Sequence, residues 1–134
     1  MKTIHKGAIA QLKVELRAAE RGYVLSKPCV DVRYDYILDD GLKLEKVQVK
    51  YGGGSASHAS GVVTVSLRGW KGKEYSRVYC EGEVDALLVY VPKIDKILKF
   101  PAPLFCGKTN LYVRLEPALN RQVKGTLMAQ DYLW

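Results

Sequence analysis

Residues 30–51, VDVRYDYILDDGLKLEKVQVKY, contain two runs of alternating apolar and polar side chains on either side of a turn. The first run covers residues 30–38 and the second covers residues 42–51. Such alternation is typical of strands that bury one face, and Asp39-Asp40-Gly41 is a strong turn signal. The pattern predicts an antiparallel hairpin that carries Asp35 in the middle of its first strand.

The second strand of this hairpin has a polar side and an apolar side. Leu44, Val47 and Val49 are the apolar positions that we expect to face the core. Two charged residues between Leu44 and Val47 interrupt the strict alternation, which would be explained by a β-bulge. Gln48 and Lys50 are two residues apart, so both must point to the same side of the sheet.

An amphipathic helix is predicted before the hairpin, over residues 3–21. Thr3 can cap its start and Gly22 can take the left-handed conformation that ends it. The positions expected to face the core recur at helical spacing; they are Ile9, Leu12, Leu16 and Ala19. Gln11 and Glu15 are four residues apart and project from one side, beside this stripe. A helix packed on the sheet would therefore direct both side chains towards the hairpin.

The remaining segments indicate further strands and one flexible loop. Strands are predicted over residues 23–26, 62–67, 86–91, 96–100 and 111–115, with 86–91 and 96–100 forming a hairpin. The small, polar residues 52–61 predict a mobile loop. We interpret residues 1–134 as a single α/β domain with a mixed, mainly antiparallel central sheet and the first helix packed on it.

Composition and charge narrow the class of protein. No segment approaches the roughly 20 consecutive apolar residues that are needed to cross a bilayer. The N-terminus also lacks the layout of a secretory signal. We therefore expect a cytoplasmic protein. The three cysteines, Cys29, Cys80 and Cys106, show neither disulfide nor zinc spacing and are expected to be buried apolar side chains.

A formal charge of +7 suits a polyanionic partner such as nucleic acid. The candidate DNA-contacting residues lie in a basic loop after residue 67 and in the flexible loop; they are Arg68, Lys71, Lys73, Arg77 and His58.

Asp35, Gln48 and Lys50 can share one pocket, because neighbouring antiparallel strands lie about 5 Å apart. Such a pocket suits phosphodiester hydrolysis with a hard divalent cation, for which Mg²⁺ is the natural candidate and Mn²⁺ a substitute. Asp35 would be the main ligand, with the Val49 carbonyl, the Gln48 amide oxygen and Glu15 as further donors. Lys50 would orient or activate the attacking water.

The chain also resembles the PD-(D/E)XK nucleases, in the branch of small endonucleases and intron-encoded homing endonucleases that carry Gln in place of the second acid. The resemblance covers residues 6–101, about three-quarters of the chain. The matching residues are Lys6-Gly7, the helix to Gly22-Tyr23, Pro28, Tyr34-Asp35, Val47-Gln48-Val49-Lys50, Val84-Asp85 and Tyr90-Val91-Pro92. A restriction-endonuclease-like core and metal-dependent cleavage of double-stranded DNA are what the resemblance implies.

Carried over by position, the family's metal-binding Asp falls on Asp35, its variable acid on Gln48 and its catalytic lysine on Lys50. The usual helix Glu falls on Gln11, and Glu15, one turn later, is the available substitute. A site-specific homing endonuclease is the first hypothesis. A Holliday junction resolvase or repair nuclease acting on branched DNA, and a catalytically inactive DNA-binding protein of the same fold, remain alternatives.

A nuclease with one site per chain is expected to work as a homodimer or homotetramer, because the two strands of a duplex run in opposite directions. The candidate interface is the apolar tail, which includes Leu127, Met128, Tyr132, Leu133 and Trp134, although these residues could equally pack on the chain's own core.

Overall fold

A computed structural model describes residues 1–55, 61–68, 70–71, 74–75, 78–116 and 126–134. The helices are α1 (Thr3–Glu20), α2 (Ala102–Phe105) and a 3-10 turn (Ala129–Tyr132). The strands of the first half are β1 (Val24–Ser26), β2 (Tyr36–Asp39), β3 (Leu44–Tyr51), β4 (Gly54–Ser55) and β5 (Val62–Ser66). They are followed by β6 (Trp70–Lys71), β7 (Glu74–Tyr75), β8 (Ala86–Val91), β9 (Lys96–Pro101), β10 (Asn110–Arg114) and β11 (Leu127–Met128).

The central sheet has five strands in the order β1-β2-β3-β8-β9. Its β3–β8 pair is parallel and the other three pairs are antiparallel, which confirms the mixed, mainly antiparallel sheet and both predicted hairpins. A second sheet, in the order β11-β10-β5-β4, packs on the face away from α1. The long connection from β3 to β8 contains β4 to β7 and so leads through the second sheet.

Helix α1 packs on the central sheet through small residues rather than through its leucines. Ala10, Val14 and Ala18 are the buried positions of the helix, whereas Leu12 and Leu16 are 63% and 59% exposed. The predicted core stripe was therefore wrong by part of a turn: only Ile9 among its members is packed against the core, and Ala19 is exposed. Small side chains let the helix axis approach the sheet closely, and helical spacing alone does not choose between two apolar faces.

The ends of α1 confirm one of the two predicted signals. Gly22 has a φ of +73° and donates its N–H to Ala19, so it ends the helix as expected. Thr3 is not a cap, because it already lies inside the helix and Lys2 occupies the capping position without a side-chain hydrogen bond.

The first strand of the hairpin is shorter than its alternating sequence predicts. β2 begins at Tyr36, so Asp35 lies directly before the strand and not in its middle. Residues 30–34 are irregular and Val30 is 66% exposed. On one side β1 ends opposite Ile37 at Ser26, and on the other side the Asp35 carboxylate, rather than a backbone carbonyl, binds the next N–H of β3, so strand pairing stops here.

The second strand runs without the expected bulge. Its pairing with β2 is continuous, from the pair of Asp39 with Leu44 to the pair of Tyr36 with Val47. Val47 and Val49 are buried as predicted, but Leu44 is 68% exposed. Because the alternation is unbroken, Leu44 falls on the face opposite Val47, and that expectation was wrong.

Two other expectations are corrected, and the tail takes one of its two open alternatives. The segment 52–61 is not all loop, because it contains β4, which pairs with β5. Cys29 and Cys80 are exposed and Cys106 is partly exposed, so the expected burial is wrong, and no disulfide joins these three described cysteines. The tail packs on its own core: Trp134 is 9% exposed and the ring centroids of Phe100 and Tyr132 lie 4.8 Å apart. No helix among the described residues is both long and apolar enough to span a membrane.

Candidate active site

Asp35 is tied to β3 at two points. Its backbone N–H donates to the carbonyl of Val47 at 2.8 Å. Its carboxylate oxygen Oδ2 accepts the backbone N–H of Val49, also at 2.8 Å. The side chain is therefore held across the β3 backbone, beside the residues that flank Val49.

Those flanking residues are Gln48 and Lys50, both half-buried. They alternate with Val47 and Val49, which face α1, so Gln48 and Lys50 point to the opposite face. The charge of Lys50 acts on Asp35, and that of Asp35 acts on Lys50. The structure thus brings together three of the residues that the sequence singles out, at the position where β2 begins.

Burial is the main electrostatic influence on this pair. It raises the pKa of Asp35, while the Val49 N–H and the Lys50 charge act in the opposite direction. Burial likewise lowers the pKa of Lys50, which the charge of Arg33 lowers further and that of Asp35 raises. A second cation, Arg33, is therefore close enough to act on the site.

Glu15 contacts Tyr36, the residue next to Asp35, on the α1 face of the sheet, so the helix does not place it on the face to which Gln48 and Lys50 point. The Tyr36 hydroxyl donates to Glu15 Oε1 at 2.8 Å, and Lys27 Nζ lies 3.4 Å from the same oxygen. Burial raises the pKa of the Tyr36 phenol above its usual range, and the charges of Glu15 and Asp35 raise it further. Both carboxylates are thus within electrostatic reach of one hydroxyl. Gln11, one turn before Glu15, is half-buried on the same side of α1.

The donor set near Asp35 fits a cation that keeps part of its water shell. In the described part of the chain, no group of three or more His, Cys, Asp or Glu residues could hold a metal. Asp35 uses Oδ2 to accept the Val49 N–H, which leaves Oδ1 for a cation. The amide oxygen of Gln48 can add a neutral donor. Mg²⁺ usually takes only one or two carboxylates, with water and substrate phosphate completing its shell, so one half-buried carboxylate suits it.

The predicted DNA-contacting residues are only partly within the described ranges. Arg68 is exposed just after β5. Lys71 belongs to β6, a two-residue strand paired with β7, and its side chain is not described. Lys73, Arg77 and His58 lie outside the described residues.

Sequence reasoning missed three residues around the site, namely Arg33, Tyr36 and Tyr79. The sequence did contain a signal for Arg33. It precedes Asp35 by two residues, so the alternating pattern places both side chains on the same face. Tyr36 looked like a core residue and is one, but its hydroxyl also joins Glu15 to the site. Nothing in the sequence relates Tyr79 to Asp35, because the two come together only through the fold.

This chain is similar to one family of known proteins and to solved structures. A family model described as PD-(D/E)XK endonuclease matches residues 1–134. No curated protein matches the chain. Among solved structures, the chain is similar to a bacterial homing endonuclease, I-Ssp6803I, with 25% sequence identity and a TM-score of 0.73. The alignment covers 98% of this chain and 86% of that chain. This similarity confirms the predicted fold class.

Proposed function

Because this chain belongs to the PD-(D/E)XK endonuclease family, we propose that it is a magnesium-dependent endodeoxyribonuclease that cuts DNA at a specific site. Nuclease activity follows from the family, which generally uses divalent metal ions. Site specificity of the homing type rests on the similarity to the homing endonuclease structure. The observation that carries the proposal is the contact of the Asp35 carboxylate with the backbone of Val49, between Gln48 and Lys50.

In the proposed reaction the chain's residues bind and orient the reactants. Asp35, the Gln48 amide oxygen and the Val49 carbonyl would hold the cation, and Glu15 would act on it from the α1 face, directly or through water. The cation, when bound, neutralises charge on the phosphate and favours ionisation of the attacking water. Lys50 orients that water and counters the charge that develops on the phosphate.

The covalent change is hydrolysis of one phosphodiester bond. The water oxygen forms a bond to phosphorus as the bond to the leaving oxygen breaks. The water gives up a proton and the leaving oxygen takes one up, both by exchange with solvent. The half-buried position of Lys50 keeps its charge poorly screened, and so effective, next to this centre.

DNA is held by the basic residues beyond β5. We assign this role to Arg68, Lys71, Lys73 and Arg77, with His58 as a further contact. The weaker candidates are Lys108, Arg114, Arg121 and Lys124. Removal of each phosphate-binding charge should flatten the slope of log affinity against log salt by about one for duplex DNA. A charge-reversal series over the first four residues that leaves this slope unchanged would place the DNA elsewhere.

The enzyme is proposed to act as a symmetric homodimer or homotetramer. Two-fold symmetry supplies a second site with the polarity of the second DNA strand. Because the tail packs on its own core, the outer face of α1, with exposed Leu12 and Leu16, is the better candidate interface.

The decisive experiment is incubation of the purified protein with supercoiled plasmid, linear duplex and a four-way junction. Each is tested with Mg²⁺, with Mn²⁺ and with chelator, beside the variant Asp35→Asn. Cutting of duplex or plasmid that chelator and the substitution both abolish supports the proposal. Cutting of the junction alone favours a resolvase. Binding of all three without any cutting favours the catalytically inactive DNA-binding protein, since the site offers Gln48 and Gln11 where acids are commoner.

A further inference from the structure

Arg33 stacks on an aromatic ring at the edge of the candidate active site. Its guanidinium carbon lies 4.3 Å from the centroid of the Tyr79 ring. Tyr79 is 5% exposed and meets Phe105 edge-on, with 6.0 Å between the ring centroids. The Tyr79 carbonyl also accepts the N–H of Gly107 at 2.9 Å. The ring is thus fixed by the core between the sheets, and Arg33 stacks on a rigid support.

Electrostatic effects show that this arginine belongs to the surroundings of the site. The charge of Arg33 lowers the pKa of Lys50. The charge of Asp35 raises the pKa of Tyr79, where burial is the main cause and Arg33 acts in the opposite direction. Arg33, Lys50, Asp35 and Glu83 therefore act on one another or on a shared neighbour, and Arg33 and Lys50 are the two cations among them.

Arg33 and Lys50 are half-buried cations that repel each other, and an anion bound between them would relieve that repulsion. A DNA phosphate carries two non-bridging oxygens, and the planar guanidinium presents paired N–H donors that match them. Stacking on a buried ring restricts the orientation of the guanidinium before any ligand arrives, so that less side-chain entropy is lost on binding.

We propose that Arg33 contacts the substrate directly and binds a non-bridging oxygen of the scissile phosphate, with Tyr79 as its positioning residue. This inference rests on the proposed nuclease function and adds a phosphate-binding group to that site. The contrasting explanation is that Arg33 covers the Tyr79 ring and contributes packing only. The two explanations differ in what happens when the charge is kept but the planar group is changed.

The first test measures duplex DNA binding in chelator over a range of salt concentrations. Arg33→Gln should flatten the slope of log affinity against log salt by about one, and Arg33→Lys should leave the slope near that of the wild type. Arg21→Gln is the matched control. Arg21 also stacks on aromatic rings, at 6.0 Å from Tyr23 and 5.4 Å from Trp134, but it lies at the far end of α1. An unchanged slope for Arg33→Gln overturns the proposal.

The second test measures cleavage at saturating and at limiting DNA with Mg²⁺. Arg33→Gln should lower kcat/KM by about a hundredfold or more, in line with removal of one donor to a developing oxyanion. Arg33→Lys should recover part of the loss, because the charge remains without the planar geometry. Tyr79→Leu, which removes the ring, should lower kcat, and Tyr79→Phe, which keeps the ring but removes the hydroxyl that hydrogen-bonds Arg33, should lower it less. Thermal unfolding of each variant identifies losses that arise from misfolding.

The results separate this proposal from the proposed function. If the wild type cuts DNA and Arg33→Gln cuts equally well, the enzyme stands and the role of Arg33 is refuted. If the wild type binds duplex but cuts nothing, nuclease function fails. In that case a slope reduced by about one in Arg33→Gln still supports binding of a phosphate, and an unchanged slope overturns it.

Discussion

The carboxylate of Asp35 takes the place that a backbone carbonyl would have if β2 were longer. Pairing with β3 stops at Tyr36 and Val47, and the next available N–H, that of Val49, is bound at 2.8 Å by Asp35 Oδ2. The end of the strand is therefore what brings a carboxylate to the β3 backbone. A longer β2 would satisfy the same N–H without any acid at the site.

The first prediction concerns this carboxylate. Asp35→Asn should reduce cleavage more than about a hundredfold, because it removes the charged cation ligand. Duplex binding in chelator should change little, since the residue is not part of the phosphate track. Asp131→Asn, at an exposed position in the tail, is the control. Activity of Asp35→Asn within about tenfold of the wild type would refute the site.

The second prediction concerns Lys50. Lys50→Ala should abolish cleavage while circular dichroism and the unfolding midpoint stay close to those of the wild type, because Lys50 belongs to neither hydrophobic core cluster. Lys93→Ala, an exposed lysine in the turn between β8 and β9, should cut normally. If both variants retain full activity, the attacking water is oriented by another group.

The third prediction separates the two helix residues by their response to magnesium. Glu15→Gln should raise the Mg²⁺ concentration needed for half-maximal activity, because it removes the second carboxylate within reach of the Tyr36 hydroxyl. Gln11→Ala should have the smaller effect, and Glu20→Gln, exposed on the same helix, none. The reverse order for the first two variants would transfer the ligand role to Gln11.

The fourth prediction concerns stability at alkaline pH. Burial first, and then the bond to Glu15, raise the pKa of Tyr36 in the folded protein. A raised folded pKa gives stability that is complete below the unfolded value near 10 and is lost as pH rises above it. Each pH unit above about 10 should cost roughly 1.4 kcal/mol for this group.

Urea unfolding between about pH 8 and pH 11 measures this loss. Tyr36→Phe should be less stable at the lower end of this range, where it lacks the hydrogen bond, but should lose less stability than the wild type at the upper end. Tyr112→Phe, at a 43% exposed position, should follow the wild-type curve. Parallel curves for the wild type and Tyr36→Phe would show that the Tyr36 hydroxyl ionises normally.

The fifth prediction concerns assembly. Light scattering of the free protein and of its DNA complex should give a mass of two or four chains, well above the 15.0 kDa of one chain. Leu12→Glu with Leu16→Glu should reduce that mass, because a charged interface is costly to bury. Leu42→Glu, at a 95% exposed turn position, is the control. A single-chain mass in both states would exclude the oligomer.

The sequence predicts where the helices and strands of this fold lie better than it predicts which face of each one is buried. Both hairpins, the strand that carries Gln48 and Lys50, and the helix end at Gly22 are confirmed, because local alternation and turn chemistry determine them. The buried face of α1 was wrong, since Ala10, Val14 and Ala18 are also helically spaced. Only the shape of the sheet surface decides between small and large side chains.

In the candidate site, too, contacts within one hairpin could be predicted from the sequence and contacts between distant segments could not. Asp35, Gln48 and Lys50 lie within sixteen residues of one another, so a single hairpin brings them together and the sequence could show it. The stacking of Arg33 on Tyr79 joins segments 46 residues apart. No local pattern encodes that pairing, because it depends on how the connection between β3 and β8 folds back.

That long connection bears on how the protein could change during evolution. The residues proposed for the chemistry lie mainly on one hairpin, whereas the basic residues proposed to hold DNA lie in the connection between β5 and β8. Surface loops accept insertions and substitutions at low cost in stability. Substitutions in this connection would therefore allow the protein to recognise new DNA sequences, while the hairpin of β2 and β3 stays unaltered. Arg33 and Tyr79, which join the two parts, would set the limit on such divergence.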